Sequence, residues 1–271
     1  MDQMLPGRLN RDGIRIHSPE DFAGMRAAGR LAADILDRIA AAVQPGVTTL
    51  ELDTAVHDMV KAAGAISATV GYKGYKHATC ISINHVVCHG IPSDKRLRDG
   101  DILNIDVTVI VDGWYGDSSR MYVAGTPPRK AERLIDITHD ALMEGIAQVR
   151  PGNTFGDIGA AIQRFAEGQR CSVVRDFCGH GLGRVFHAAP NVLHYGRWGT
   201  GPGLEPGMFF TVEPMINLGR PETQGLADDW TAVTKDRSLS AQFEHSVGVT
   251  ETSYEIFTLS PKGLTPPRGG A

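Results

Sequence analysis

Acids in the middle of apolar, strand-like runs are the first feature of this 271-residue sequence that calls for chemistry. Asp106 stands in Leu103-Asn104-Ile105-Asp106-Val107-Thr108-Val109. Glu213 stands in Phe209-Phe210-Thr211-Val212-Glu213-Pro214-Met215, and Glu244 in Ala241-Gln242-Phe243-Glu244-His245-Ser246-Val247. One such acid alone is equally explained by a solvated strand face, because burying it unpaired is costly. The repetition of the pattern is what needs a cause. Asp117 joins the group through a turn: Asp112-Gly113 is a two-residue hairpin signal behind the apolar run Asp101–Val111. If those two residues form the loop, Val111 faces Trp114 and Asp117 faces Thr108. Asp106 and Asp117 are then diagonal neighbours on one face, with Cβ atoms roughly 7–8 Å apart, unless a bulge shifts the register. Four converging carboxylates carry four negative charges that a desolvated site tolerates only with cations. Two divalent ions balance them and leave room for a bridging hydroxide.

A remaining ligand is expected in Cys178-Gly179-His180-Gly181-Leu182-Gly183-Arg184-Val185-Phe186-His187, where glycines flanking His180 permit a close backbone approach to a ligand. A histidine taken singly is more often structural, so the stretch leaves His180 and His187 both open. Oxygen-rich ligands with one imidazole suit Mn, Fe or Co better than a cysteine-rich structural zinc pattern would.

These residues must be positioned by a repeated framework. Ser18 is placed to cap a helix, with Pro19 in its first turn and Asp21 three residues on. Phe22, Met25, Gly29, Ala32, Leu36, Ile39 and Val43 then recur at spacings of three and four, and Pro45-Gly46 ends the run. A second helix is predicted from Thr48, with Glu51 in its first turn, to about Gly64. Val43-Gln44-Pro45-Gly46-Val47-Thr48 returns as Val149-Arg150-Pro151-Gly152-Asn153-Thr154, 106 positions later. Leu97–Asp106 aligns with Leu204–Glu213 at an offset of 107. The chain is thus an internal duplication that sets Asp106 and Glu213 in corresponding places. The reading is α+β: one central sheet built from both halves, with helices packed on one side. No Pro/Ser-rich linker separates the halves. They are expected at about 18–125 and 128–260 of a single domain, after an extension of 1–17 and before a tail of 261–271. Residues 1–12 and the tail are expected to be weakly ordered.

Composition narrows the classes. An apolar fraction of 42% and a charged fraction of 21% are those of an ordinary globular protein. A net charge of −4 gives no reason to expect nucleic-acid binding. No apolar run approaches the roughly 18 residues needed to cross a bilayer. The N-terminus lacks an apolar signal core, and Cys80, Cys88, Cys171 and Cys178 form neither a disulfide framework nor a C-x-x-C pair, so reduced thiols in a cytoplasmic protein are expected.

Asp106 and Asp117, then G-H-G at 179–181, F-T-V-E-P-M at 210–215 and Q-F-E-H at 242–245, resemble the methionine aminopeptidase family in order and spacing. The resemblance runs from about Ser18 to Ser260 and is to the type I, bacterial kind. It implies the pita-bread fold, whose pseudo-twofold halves agree with the duplication. It implies Asp106, Asp117, His180, Glu213 and Glu244 as ligands of two divalent ions (Co, Mn, Fe or Zn), with Asp106 and Glu244 touching both. The match at C-H-G-I-P makes His89 similar to the family's histidine beside the scissile nitrogen, and His187 to the one contacting the substrate carbonyl. Tyr72, Tyr75, Cys80, Phe186 and Trp230 fit the methionine pocket. Lys73 and Thr69 depart from it, standing where histidine and cysteine are common. The implied activity is co-translational removal of initiator methionine ahead of a small second residue. Metal-activated hydroxide attacks the first peptide bond, His187 helps stabilise the oxyanion, and Glu213 takes up and returns the proton. Nascent N-termini at the ribosome are the implied partners, and a monomer is expected. Proline-specific peptidases and the type II enzymes share the fold. The short segment before the first helix, the absence of a helical insertion and the absence of a Cys/His-rich extension count against them. A non-catalytic pita-bread binding protein would be expected to have lost ligands, and all five are present.

Overall fold

The structure, a computed structural model, describes residues 7–264. Four long helices carry the framework: α1 (Asp21–Ile39), α2 (Thr49–Ala62), α3 (Arg129–Ile146) and α4 (Phe155–Gly168). On α1 the apolar stripe of Phe22, Met25, Gly29, Ala32, Leu36 and Ile39 is buried, as its period requires. The cap is not the one expected. Glu20 takes the N-cap position with no side-chain bond to the first turn, while Ser18 donates its backbone N–H to the Asp21 carboxylate at 2.9 Å. The Ser18 hydroxyl is engaged with the Glu20 carboxylate instead of the helix. α2 starts as its sequence predicts, in a reciprocal pair: Glu51 N–H donates to Thr48 Oγ1 (3.1 Å), and Thr48 N–H donates to Glu51 Oε2 (2.7 Å). It ends at Ala62, two residues before Gly64, whose φ of +69° takes the chain out of the helix.

The duplication is visible as matching bonds. Thr154 N–H donates to Asp157 Oδ2 at 2.7 Å, as Thr48 does to Glu51. The bridge between Thr48 and Arg96 has its counterpart between Thr154 and Gly203. Both pairs lie at the offsets read from the sequence.

The strands Asp101–Val111 and Trp114–Ala124 form one unbroken antiparallel hairpin, with Val111 opposite Trp114, Thr108 opposite Asp117 and Asp106 opposite Ser119. No bulge intervenes, so Asp106 and Asp117 share a face. Side chains alternate across a strand. Leu103, Ile105, Val107 and Val109 therefore pack in one core with Ile35, Leu36 and Ile39 of α1 and Leu52 and Val56 of α2, while Asp106 and Thr108 face away. The strand Thr79–Ile83 extends this sheet and sets Cys80 opposite Asp106.

The second half repeats the arrangement. Phe209–Val212 pairs with His245–Val249, and Met215–Asn217 pairs with Ser240–Gln242. Phe210, Val212, Ala241, Phe243 and Val247 turn into a core with α3 and α4, and alternation turns Thr211 and Glu213 the other way. The register is the same on both sides of the break at Glu213-Pro214, so Glu213 falls opposite Glu244. Proline has no N–H for the ladder, which accounts for the break.

The expected single central sheet is corrected here. Among the described residues the strands fall into five small sheets. The two halves meet along a seam where Ser119 forms an isolated backbone bridge to Glu244, and the strand Val86–Cys88 of the first half pairs with Ala232–Thr234 of the second. Side chains complete the seam: Ser118 Oγ donates to the Glu244 carbonyl (2.7 Å), Ser246 Oγ to the Asp117 carbonyl (2.6 Å), and Asn104 Nδ2 to the Gln242 carbonyl (2.8 Å). Hydroxyls and an amide replace the ladder where the backbone gives way to the acids.

Of residues 1–12, expected to be weakly ordered, residues 7–12 are exposed apart from the half-buried Asn10. Arg8–Leu9 pairs with Arg15–Ile16, and Asn10 Nδ2 donates to Glu205 Oε1 at 2.8 Å. Of the expected tail, Lys262 donates its N–H to Asp37 at 3.0 Å; residues 1–6 and 265–271 lie outside the described residues.

Candidate active site

A cavity of about 600 Å³ opens between the halves. Asp106, Asp117, His180, Glu213 and Glu244 all line it, and so do His89, His187, Tyr72, Tyr75, Cys80, Phe186 and Trp230. Each of the twelve residues singled out from the sequence is therefore on its wall, as are Thr69 and Lys73.

The acids arrive from the two hairpins and His180 from the short strand Gly179–Gly181, which lies between Phe209–Val212 and Ala188–Val192. A Cβ on Gly179 would come within 2.3 Å of the Thr211 carbonyl oxygen, and one on Gly181 within 2.1 Å of that of Ala189. The glycines flanking His180 thus permit close strand packing. Backbone N–H of His180 donates to Thr211 Oγ1 (3.0 Å), and that hydroxyl donates to Glu213 Oε1 (2.7 Å). His180 Nδ1 donates to the Gly181 carbonyl at 3.1 Å, and its Nε2 lies 3.4 Å from Asp117 Oδ2 and 3.8 Å from Glu213 Oε1. Asp117, His180 and Glu244 bring ligand atoms within 4.8 Å of one another. Thr108 Oγ1 donates to Asp117 Oδ1 at 2.8 Å.

The electrostatics of this cluster are those of like charges crowded together out of water. Burial, then the neighbouring acids Asp117 and Glu213, push Asp106 and Glu244 well above the carboxylate range. Burial raises Glu213 to about 7, against the pull of His180 and the Thr211 hydrogen bond. Burial would lower His180, but the Asp117 hydrogen bond and the Glu213 charge raise it to about 9. Asp106 Oδ1 is buried with no hydrogen-bond partner. Like charges directly opposite one another, as Glu213 and Glu244 are, destabilise a sheet. An orphaned carboxylate oxygen, hard oxygen donors and one imidazole nitrogen together fit divalent cations of the Mn, Fe, Co type.

The opposite wall is aromatic. Tyr75 and Trp230 meet with ring centroids 4.8 Å apart, and Tyr72 and Phe186 at the same separation. His89 stands edge-on to Phe177 at 5.5 Å, and burial lowers its pKa. Burial and the charge on His180 lower His187 to about 4, so it is neutral over the working pH range.

Sequence reasoning missed Thr108 and Thr211. Each stands two residues from an acid on the same strand face, and that spacing was the available signal. It also missed Asp53 of α2, which accepts from Ala78 N–H (2.9 Å), Thr79 N–H (2.9 Å) and Thr79 Oγ1 (2.8 Å) and so fixes the strand carrying Cys80. An acid on a helix facing a strand 25 residues away leaves no local pattern.

Paired acids and a histidine at the seam of a duplicated α+β fold define a metallopeptidase centre, and the relatives agree. Residues 23–251 match metallopeptidase family M24. The chain is 58% identical over 255 residues to the methionine aminopeptidase of Rickettsia prowazekii, covering 94% of this chain and 98% of that one. It is 52% identical to that of Escherichia coli K12, covering 93% and 97%. The crystal structure of the Rickettsia protein superposes with a TM-score of 0.90, covering 91% of this chain and all (100%) of that one. A Xaa-Pro dipeptidase from Bacillus anthracis, 22% identical, has a TM-score of 0.73 over 91% of this chain and 62% of its own, a likeness of fold alone. The chain belongs to metallopeptidase family M24 and, within it, to the bacterial type I methionine aminopeptidases. Its fold is the α+β pita-bread fold of that family.

Proposed function

We infer that this chain is an aminopeptidase that removes N-terminal methionine from new proteins. The observation that carries the reading is the meeting, in one cavity, of four acids and His180 with His187 and an aromatic pocket. Asp106, Asp117, His180, Glu213 and Glu244 would hold two divalent ions, Mn, Co, Fe or Zn. When bound, such ions supply a nucleophile at neutral pH and polarise the scissile carbonyl. Glu213 would take up a proton on a carboxylate oxygen and return it to the leaving nitrogen. Thr211 and Gln242 donate to its two oxygens, at 2.7 and 3.3 Å, and hold it in place. Neutral His187 donates an N–H to the carbonyl oxygen as negative charge develops, and His89 stands beside the scissile nitrogen. Tyr72, Tyr75, Cys80, Phe186 and Trp230 receive the methionine side chain, whose sulfur gains about 0.3–1.5 kcal/mol against aromatic edges. Charged and β-branched first residues find no partner there.

On this reading the enzyme works as a monomer in the cytoplasm, on chains emerging from the ribosome. No helix among the described residues is long and apolar enough to cross a membrane. The test is release of free methionine from short peptides in the presence of Mn or Co. Met-Ala, Met-Gly and Met-Ser peptides should be cleaved, and Met-Lys, Met-Leu and Met-Phe peptides far more slowly. Equal rates on Met-Ala and Leu-Ala, or preferential cleavage of Ala-Pro, would overturn the methionine specificity.

A further inference from the structure

His180 and His187 are neighbours, with ring centroids 4.2 Å apart, yet their Nδ1 atoms face different chemistry. His180 Nδ1 faces the Gly181 carbonyl oxygen at 3.1 Å, which can only accept. That contact puts the proton on Nδ1 and the lone pair on Nε2, as a metal ligand requires. His187 Nδ1 faces the Tyr72 hydroxyl at 2.9 Å, a group that can donate. We propose that Tyr72 is a positioning residue for catalysis: its phenol donates to His187 Nδ1 and so holds the ring proton on Nε2. This deepens the proposed function and rests on its assignment of His187 to the substrate carbonyl.

The argument runs through tautomers. A neutral imidazole has one donor nitrogen and one acceptor nitrogen. With the proton on Nδ1, a lone pair on Nε2 would meet the carbonyl oxygen, and the interaction would be repulsive where the oxyanion forms. With Tyr72 as donor, Nε2–H is the group left for the substrate. Among the described residues the structure gives the Tyr72 hydroxyl no other hydrogen bond, so its proton is free for this one. Lys73 Nζ lies 5.3 Å from the centroid of the Tyr72 ring. A cation over the ring draws electron density from the phenol and makes it the better donor. Lys73 holds that place at a φ of +47°, a conformation that is strained for a lysine and is kept where the surroundings impose it. Phe186 completes the frame, 4.8 Å from the Tyr72 ring and 4.1 Å from that of His187. Two imidazoles in contact are thus given opposite tautomers by what stands behind each.

The test is a double-mutant cycle on the metal-loaded enzyme with a Met-Ala-Ser peptide, using Tyr72→Phe, His187→Ala and both together. Phenylalanine keeps the ring that lines the pocket and removes only the donor. Tyr72→Phe should lower kcat by about tenfold, the worth of one oriented hydrogen bond, with KM and bound metal unchanged. In the His187→Ala background the same change should cost nothing further. Ring ¹⁵N shifts of His187 in the zinc-loaded enzyme should report the Nε2–H tautomer, and that preference should be lost in Tyr72→Phe. Equal losses in both backgrounds, or no loss in the otherwise unaltered enzyme, would overturn the proposal. Unaltered turnover in His187→Ala would instead overturn the assignment of His187, and the proposal with it.

Discussion

Asp106 Oδ1 is shut away from water without a hydrogen bond, and the residue opposite it on the next strand, Cys80, brings a thiol that burial holds in its neutral form. Among the described residues no hydrogen bond satisfies this oxygen, an arrangement suited to a cation. Asp106→Asn removes one charge from the group and should lower both bound metal and turnover. Two tightly held ions in that variant, by elemental analysis, would show that Asp106 is no bridge between them. His187 stands in the same cavity, but Tyr72 and Phe186 surround it. Replacing it with alanine should reduce kcat by roughly 10²–10³, the usual loss of one oxyanion donor, and leave metal content intact. Loss of metal would move His187 among the ligands.

At the scale of elements, the hairpin that carries Asp106 and Asp117 is tied down from behind. Arg120, on the opposite face of the Trp114–Ala124 strand, forms a buried ion pair with Asp37 of α1. Asp37 also accepts from Ser260 Oγ at 2.7 Å and from Lys262 N–H, so one carboxylate joins helix, hairpin and C-terminal segment. Removing one partner of a buried pair leaves an uncompensated charge, which costs about 3–5 kcal/mol. Arg120→Ala should lower stability by that amount in urea unfolding, while the folded fraction keeps its metal. A loss below about 1 kcal/mol would mean that water reaches the pair, as in exposed ion pairs. The helix-capping pair Thr48–Glu51 was legible because capping is local chemistry, complete within four residues. At α1 the N-cap position falls to Glu20, and Ser18 is tied to Asp21 through its backbone N–H.

For the molecule as a whole, the acid cluster couples folding, protons and metal. Burial raises Glu213 in the folded, metal-free chain from the ordinary 4.5 to about 7, and Asp106 and Glu244 are displaced in the same direction. A folded pKa above the unfolded one means that the folded state binds more protons. The stability this gives is full below about 4.5 and is lost as pH rises through about 7. Metal-free protein therefore carries its acid repulsion more heavily at pH 8 than at pH 6, and protons and cations compete for the same oxygens. Adding Mn²⁺ to chelated protein should raise Tm more at pH 8 than at pH 6, read by thermal unfolding. Equal increments at the two pH values would separate the acids from the metal.

The sequence by itself determined what depends on short range and on period. It contained the hairpin register through Asp112-Gly113, the stripe of α1, the capped start of α2, the offset of the two halves and the acids set in apolar strands. Each of these is decided by neighbours along the chain or by alternation with a fixed period. Only the tertiary structure decided how the halves join. The single sheet became smaller sheets held by Ser118, Ser246 and Asn104, because a seam is a contact between strands more than 100 residues apart, with no local code. The same holds for Glu213 opposite Glu244, for Asp53 behind Cys80 and for Tyr72 behind His187. Those pairings exist only once two cores have packed on their helices and turned the polar edges of their strands toward each other.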